Sequence, residues 1–181
     1  MGKRYDTIVC NFFAGPGTGK STMAAAVFAT LKWRGVDCEI ATEYAKDKVW
    51  EESTRVLGCQ SYVFGKQLFR LYRLNSKVQL VLTDSPILLS PIYDKKKSRA
   101  FLAHVVEQFN EFRNYNIFLK RIKKYNPNGR MQTLDEAKEK DRETLNLLKK
   151  LKVPFTVFDG SKKSVKKIAD ILEKMVDENK K

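Results

Sequence analysis

The run Thr7–Phe13 is short, apolar and rich in strand-forming residues. It empties directly into Ala14-Gly15-Pro16-Gly17-Thr18-Gly19-Lys20-Ser21-Thr22, and an alanine-rich helical pattern begins at Lys20. No other stretch restricts the fold as tightly. A strand, a glycine-rich turn and a helix in this order form the Walker A phosphate loop, whose pattern is Gly, four residues, then Gly-Lys-[Ser/Thr]. Position 14 is Ala where the pattern has Gly; every later requirement is met. The residue types follow from the chemistry. Glycines permit positive φ and let backbone N–H groups turn inward around phosphate oxygens. The helix that follows points its positive dipole end at the anion. Lys20 is placed to reach the β- and γ-phosphates, Ser21 to offer its hydroxyl to magnesium, and Thr22 to bond a more distal part of the nucleotide. Gly15, Pro16, Gly17, Thr18, Gly19, Lys20, Ser21 and Thr22 are therefore the expected site for ATP with Mg2+.

Strand-like and helix-like segments alternate through the rest of the chain. Strands are expected at Thr7–Phe13, Asp37–Thr42, Gln79–Thr83, Tyr115–Leu119 and Pro154–Phe158. Helices are expected at Lys20–Arg34, in a region broken near Gly58, at Gln60–Leu74, Ser98–Phe112 and Thr133–Lys150, and after Gly160-Ser161. Thr133 and Glu136 stand in the capping-box relation. Strands separated by helices of ten or more residues make βαβ units, so the expected fold class is α/β: a three-layer P-loop fold with a mainly parallel five-stranded sheet. No repeat or linker divides the chain, and one domain spanning residues 1–181 is expected. In such sheets ligands bind beyond the carboxyl ends of the strands.

Three features after the loop point to phosphoryl transfer. The second strand ends in Thr42-Glu43-Tyr44-Ala45-Lys46-Asp47. There Glu43 is either the base that takes a proton from an attacking hydroxyl or an acid favoured by a helix N-terminus. The third strand ends in Asp84-Ser85-Pro86, which puts Asp84 at the Walker-B-like position for magnesium or its water. After the fourth strand, residues 120–132 form a basic, turn-rich segment suited to a lid. Arg121 and Arg130 are its candidates for neutralising the moving phosphoryl group, because a guanidinium binds phosphate oxygens in a fork. On the central helix, Gln67, Arg70 and Arg73 recur every three residues and form either an acceptor-binding face or a solvated one. The aromatics Tyr44, Tyr62, Phe64 and Tyr93 are either stacking surfaces for a base or core packing.

The charge balance narrows the partners. A net charge of +14 favours a polyanionic partner such as nucleic acid. The three cysteines show no CxxC spacing, which suits reduced, buried thiols in a cytoplasmic protein and excludes a zinc pattern. The lone histidine, His104, falls in a helical stretch and is read as a packed or surface side chain. The charged start and the short apolar run after it fit neither a signal peptide nor a membrane span.

Taken together, Gly15–Thr22, Thr42–Asp47, Phe64-Gly65-Lys66-Gln67, Asp84-Ser85-Pro86 and Tyr125-Asn126-Pro127-Asn128-Gly129-Arg130 resemble a group of phage-encoded P-loop kinases similar to the 5-hydroxymethyluracil DNA kinases of thymidine hypermodification. The resemblance spans most of the chain. It implies an ATP- and magnesium-dependent kinase that phosphorylates the hydroxymethyl group of the modified base within DNA, with Tyr44, Gln67, Arg70 and Arg73 on the acceptor side. A looser resemblance, to nucleoside and ribosylnicotinamide kinases, implies a free nucleoside or nucleotide as acceptor. Outside the kinases, the motifs also admit a DNA-stimulated accessory ATPase that releases free phosphate.

Overall fold

The computed structural model describes residues 5–122, 126 and 133–179, and for Thr54 the backbone alone. Its centre is a sheet of five strands: β1 (Ile8–Phe13), β2 (Cys38–Ala41), β3 (Leu80–Thr83), β4 (Arg113–Lys120) and β5 (Thr156–Asp159). They lie in the order β2-β3-β1-β4-β5. All four pairings are parallel, so the sheet is wholly rather than mainly parallel. The chain steps from β1 outward to β2, returns to β3 and then crosses to β4. The strand order reverses beside β1, and the loop after β1 opens at that switch point.

Around the sheet lie α1 (Lys20–Trp33), α2 (Tyr44–Trp50), α3 (Thr54–Leu57), α4 (Gln60–Tyr72), α5 (Ser90–Tyr93), α6 (Arg99–Asn110), α7 (Leu134–Lys150) and α8 (Lys162–Glu178), with one 3-10 turn at Ile87–Leu89. The side-chain period of two along β1 sets the layers. Ile8, Cys10 and Phe12 face one way and pack with Met23, Val27 and Leu31 of α1 and Ile168 and Leu172 of α8. Val9 and Phe13 face the other way and pack with Phe64 and Leu71 of α4, Val105 and Phe109 of α6 and Leu148 of α7. Burial on both faces accounts for the near-continuous apolar character of the strand.

Asn11 interrupts that character. It is fully buried, and its Nδ2 donates to Asn116 Oδ1 at 3.0 Å and Asn114 Oδ1 at 2.8 Å. The polar ladder ties β1 to β4 directly below the phosphate loop.

Helix ends follow their chemistry. The Thr133 side chain accepts from the Glu136 amide while the Glu136 carboxylate accepts from the Thr133 amide, which completes the expected capping box of α7. Ser98 and Ser161 cap α6 and α8 by the first of these bonds alone, accepting from the Phe101 and Ser164 amides. The region broken near Gly58 resolves into α2 and α3, with Gly58 as the C-cap of α3. Ser85-Pro86 turns the chain into the 3-10 turn and α5, whose apolar side chains Ile87, Leu88 and Ile92 anchor it in the core. Cys10 and Cys38 are buried free thiols, whereas Cys59 is exposed as the N-cap of α4, outside any strand. His104 is a surface residue on α6 whose ring stands edge-on to Phe64 at 5.5 Å. No helix among the described residues is long and apolar enough to cross a membrane.

Candidate functional site

The loop from Ala14 to Gly19 joins the carboxyl end of β1 to the N-terminus of α1. Gly17 (φ 74°) and Gly19 (φ 106°) take the positive φ that an inward-turned amide run requires. Gly19 is also the N-cap of α1, with no side chain between the helix end and the space in front of it. Ala14 sits at negative φ and packs in the core, so a methyl group costs nothing at this position. Gly15 is a glycine for another reason. A Cβ there would run into the Ala137 carbonyl and lie 2.8 Å from Asp141 Oδ1, because α7 passes directly over the loop.

Asp141 was not among the residues the sequence singled out, yet it organises the loop. Its Oδ1 accepts from the Gly15 amide at 2.6 Å and from Thr18 Oγ1 at 3.3 Å. Its Oδ2 accepts from Arg121 Nε at 2.8 Å. Arg121 Nη2 in turn donates to the Pro16 carbonyl at 2.9 Å. The arginine that closes β4 is thereby held against the phosphate loop, while its Nη1 is buried with no partner among the described residues. Only tertiary structure reveals Asp141: in sequence it is one acid among many on an amphipathic helix.

Lys20 folds back on its own loop, donating to the Ala14 carbonyl at 2.9 Å and the Gly15 carbonyl at 3.0 Å. Burial pushes its ammonium below the ordinary lysine range; Glu43, Asp84 and Asp141 pull it back up, and Arg121 adds to the lowering. These charged groups therefore all lie within electrostatic reach of one ammonium.

A cavity of about 430 Å³ opens beside the loop. Gly17, Gly19, Lys20, Ser21 and Thr22 form its phosphate-loop side, and Glu43, Gln67 and Asp84 lie on its wall. Val49, Trp50, Val63, Leu89 and Tyr93 give it apolar walls, and Lys46, Gln60 and Lys95 are among its other lining residues. Its size and its mixture of charged, polar and apolar side chains suit a small polar organic ligand. Asp84 is 4% exposed, and its Oδ1 has no hydrogen-bond partner among the described residues. Asp84 lines the same cavity as the exposed Ser21, and a carboxylate with one oxygen left unpartnered beside a hydroxyl fits a magnesium ion.

The other expected site residues divide. Gln67 lines the cavity, but its amide is already engaged: Oε1 accepts from the Tyr44 amide at 2.9 Å and Nε2 donates to the Thr42 carbonyl at 3.2 Å. Arg70 donates to the Thr42 carbonyl at 2.8 Å and to Asp47 at 2.5 Å, which fixes the segment carrying Glu43. Arg73 is exposed at the C-cap of α4, and neither arginine lines the cavity. Gln67 and Arg70 both reach the Thr42 carbonyl, but Arg73 has left their face, because two three-residue steps leave a helix about 120° short of two full turns. Tyr44 packs edge-on to Tyr62 at 6.0 Å and Phe64 edge-on to Phe101 at 5.7 Å; of the four candidate stacking aromatics, Tyr93 alone lines the cavity. Arg130 and most of the expected lid lie outside the described residues.

Sheet order, phosphate loop and adjoining cavity together define a P-loop nucleotide-binding protein of kinase-like fold. A family model described as AAA domain matches residues 9–165, and the chain belongs to that family. No curated protein sequence matches the chain. Among solved structures, it is similar to deoxyadenosine kinase from M. mycoides with bound products, at 15% identity and a TM-score of 0.55, covering 95% of this chain and 99% of that one. It is also similar to shikimate kinase from Bacteroides thetaiotaomicron, at 13% identity and a TM-score of 0.50, covering 94% and 98%. APS kinase CysC from Mycobacterium tuberculosis, in complex with AMPPNP and APS, matches at 15% identity and a TM-score of 0.50, covering 95% and 99%. The likeness extends over the whole of each kinase chain and establishes the fold.

Proposed function

We propose that the chain is an ATP-dependent kinase that transfers the γ-phosphate to a hydroxyl of an acceptor held in the cavity beside the phosphate loop. The observation that carries this reading is the shared cavity wall: the phosphate loop with Lys20 on one side, and Glu43 and Asp84 facing it across a space of about 430 Å³. A protein that only hydrolysed ATP would have no use for an acceptor-sized chamber beside the phosphate loop.

In this reading the amides of residues 17–20 and the α1 N-terminus hold the triphosphate. Lys20 leaves the Ala14 and Gly15 carbonyls to neutralise the β- and γ-oxygens. Ser21 and Asp84 hold magnesium, which when bound supplies charge neutralisation on the phosphates. Glu43, fixed through the Arg70 and Gln67 bonds around Thr42, orients the acceptor hydroxyl and takes its proton as that oxygen bonds to the γ-phosphorus. The bond from the γ-phosphorus to the bridging oxygen breaks, and ADP leaves. Arg121, steadied by Asp141, turns its free Nη1 toward the charge spread over the phosphoryl oxygens.

For the acceptor, the motif resemblance and the net charge of +14 favour the hydroxymethyl group of 5-hydroxymethyluracil in DNA. A base entering the cavity would leave the duplex stack or come from a single strand. The second reading, a free nucleoside or nucleoside monophosphate, draws on the likeness to deoxyadenosine kinase. The test is label transfer from γ-labelled ATP to DNA containing 5-hydroxymethyluracil, to unmodified DNA and to a panel of free nucleosides and monophosphates. Label confined to the modified DNA is the expected result. Label confined to a free nucleoside or monophosphate overturns the DNA assignment.

A further inference from the structure

Helix α4 has two unlike sides. Val63, Phe64, Gln67 and Leu71 are buried, and Gln60, Val63 and Gln67 reach the cavity wall. On the opposite side Tyr62, Lys66, Phe69 and Arg73 fall at positions i, i+4, i+7 and i+11, which aligns them in one stripe along the helix. Phe69 is 62% exposed, and Tyr72, one position off the stripe, is 69% exposed. The Lys66 ammonium lies over the Tyr62 ring at 5.4 Å. Lys66 and Arg73 have no ion-pair partner among the described residues, and the segment Gln60–Arg73 contains no Asp or Glu. Such a face is unusual for a surface helix. Exposed aromatics of this size are normally buried or partnered, and surface cations are normally interspersed with acids.

Aromatic rings alternating with unpaired cations on an acid-free ridge match single-stranded nucleic acid. The rings offer stacking platforms for unpaired bases, and the cations follow the backbone phosphates. The same features disfavour a second copy of this chain: a two-fold contact through α4 would set this acid-free stripe, with Lys66 and Arg73, against an identical stripe, on a chain already at +14. We infer that the outer face of α4 is a docking ridge for single-stranded nucleic acid; the inner face of the same helix lines the acceptor cavity through Gln60, Val63 and Gln67. The inference rests on the proposed function in one respect: the strand held there delivers a nucleotide to the acceptor site. The binding itself needs no nucleotide in the phosphate loop.

The test is fluorescence anisotropy of a labelled oligothymidylate 16-mer with the full chain and no ATP, over a range of salt concentrations. Phe69→Ala and Tyr72→Ala should each weaken binding about tenfold. Lys66→Ala and Arg73→Ala should each reduce the salt slope by about 0.7. A base-free polyanion such as polyphosphate should bind with no dependence on Phe69 or Tyr72. Unchanged oligonucleotide affinity in the Phe69→Ala, Tyr72→Ala double variant overturns the proposal. So does a wild-type dimer that this double variant dissociates with no loss of oligonucleotide binding. Failure of the kinase reading looks different: oligonucleotide binding that depends on Phe69 and Tyr72 while no acceptor is ever labelled leaves the ridge standing and removes the transfer step.

Discussion

Asp141 and Arg121 form an ion pair at 2.8 Å that spans two elements and clamps a third. The carboxylate comes from the middle of α7 and the guanidinium from the end of β4; between them they engage the Gly15 amide, Thr18 Oγ1 and the Pro16 carbonyl. Both side chains are mostly buried, so removing one partner leaves the other charged and poorly solvated. Asp141→Asn should lower folding stability by about 2 kcal/mol. It should also raise the KM for ATP several-fold with a smaller effect on the acceptor KM. Thermal denaturation and two-substrate kinetics check this; equal changes in both KM values would make Asp141 a general stabiliser rather than a positioning residue.

Gly15 and Ala14 are adjacent but should respond in opposite ways. A methyl group at position 15 collides with the Ala137 carbonyl and forces α7 off the loop. Gly15→Ala should therefore cost about 1–3 kcal/mol through overpacking and weaken ATP binding with it. Ala14→Gly should change ATP affinity little, since position 14 already sits at negative φ. Calorimetric titration of ATP into both variants separates the two.

Asp84 and Glu43 face one cavity with different burdens. Asp84 Oδ1 is buried without a hydrogen-bond partner among the described residues, while its carboxylate attracts the Lys20 ammonium; Asp84→Asn removes a desolvated charge and that attraction together and should shift the melting temperature little. Its turnover should nevertheless fall by at least about 100-fold, because the magnesium-facing carboxylate is gone. Glu43→Gln should lower kcat by about 100-fold or more with little change in ATP affinity, as expected for loss of a base. Near-normal turnover in either variant removes that residue from the mechanism.

Asp159 ends β5 and accepts from Ser161 and Ser164 at the start of α8. These bonds hold its carboxyl down at about 2, against an ordinary 3.8. A depressed carboxylate contributes stability that is fully present above its unfolded value and is lost as pH falls through the folded one. Stability attributable to Asp159 should therefore disappear between about pH 4 and pH 2. Asp159→Ala should lower the melting temperature at neutral pH and lose the part of the acid transition due to this group. Acid titrations followed by circular dichroism, wild type against variant, check the sign.

Much of the fold was legible in the chain because its signals are local. The Ala14–Thr22 turn and the capping box at Thr133 and Glu136 depend on neighbours a few residues away, and the alternation of strands and helices needs only periodicity. Asp84 was legible for the same reason, as an acid at the end of an apolar strand. What the chain concealed depends on long-range contact. Asp141 meets Gly15 across 126 positions. Asn11, on β1, finds its partners only where β4 brings Asn114 and Asn116 beside it. The grouping of Gln67, Arg70 and Arg73 held only in part, for a geometric reason: a strict period of three spirals off any one face, so Gln67 and Arg70 meet at the Thr42 carbonyl while Arg73 stands in solvent.

The central claim is that the γ-phosphate moves to an acceptor in the cavity rather than to water. It is tested most directly by following γ-labelled ATP in a single turnover, with the acceptor that the panel identifies, and measuring how label divides between acceptor and free phosphate. The account predicts that nearly all label appears on the acceptor, that Lys20→Ala abolishes the transfer, and that Glu43→Gln slows it without diverting label to water. Label recovered only as free phosphate, with every acceptor unlabelled and release stimulated by DNA, would contradict the account and make the chain an ATPase.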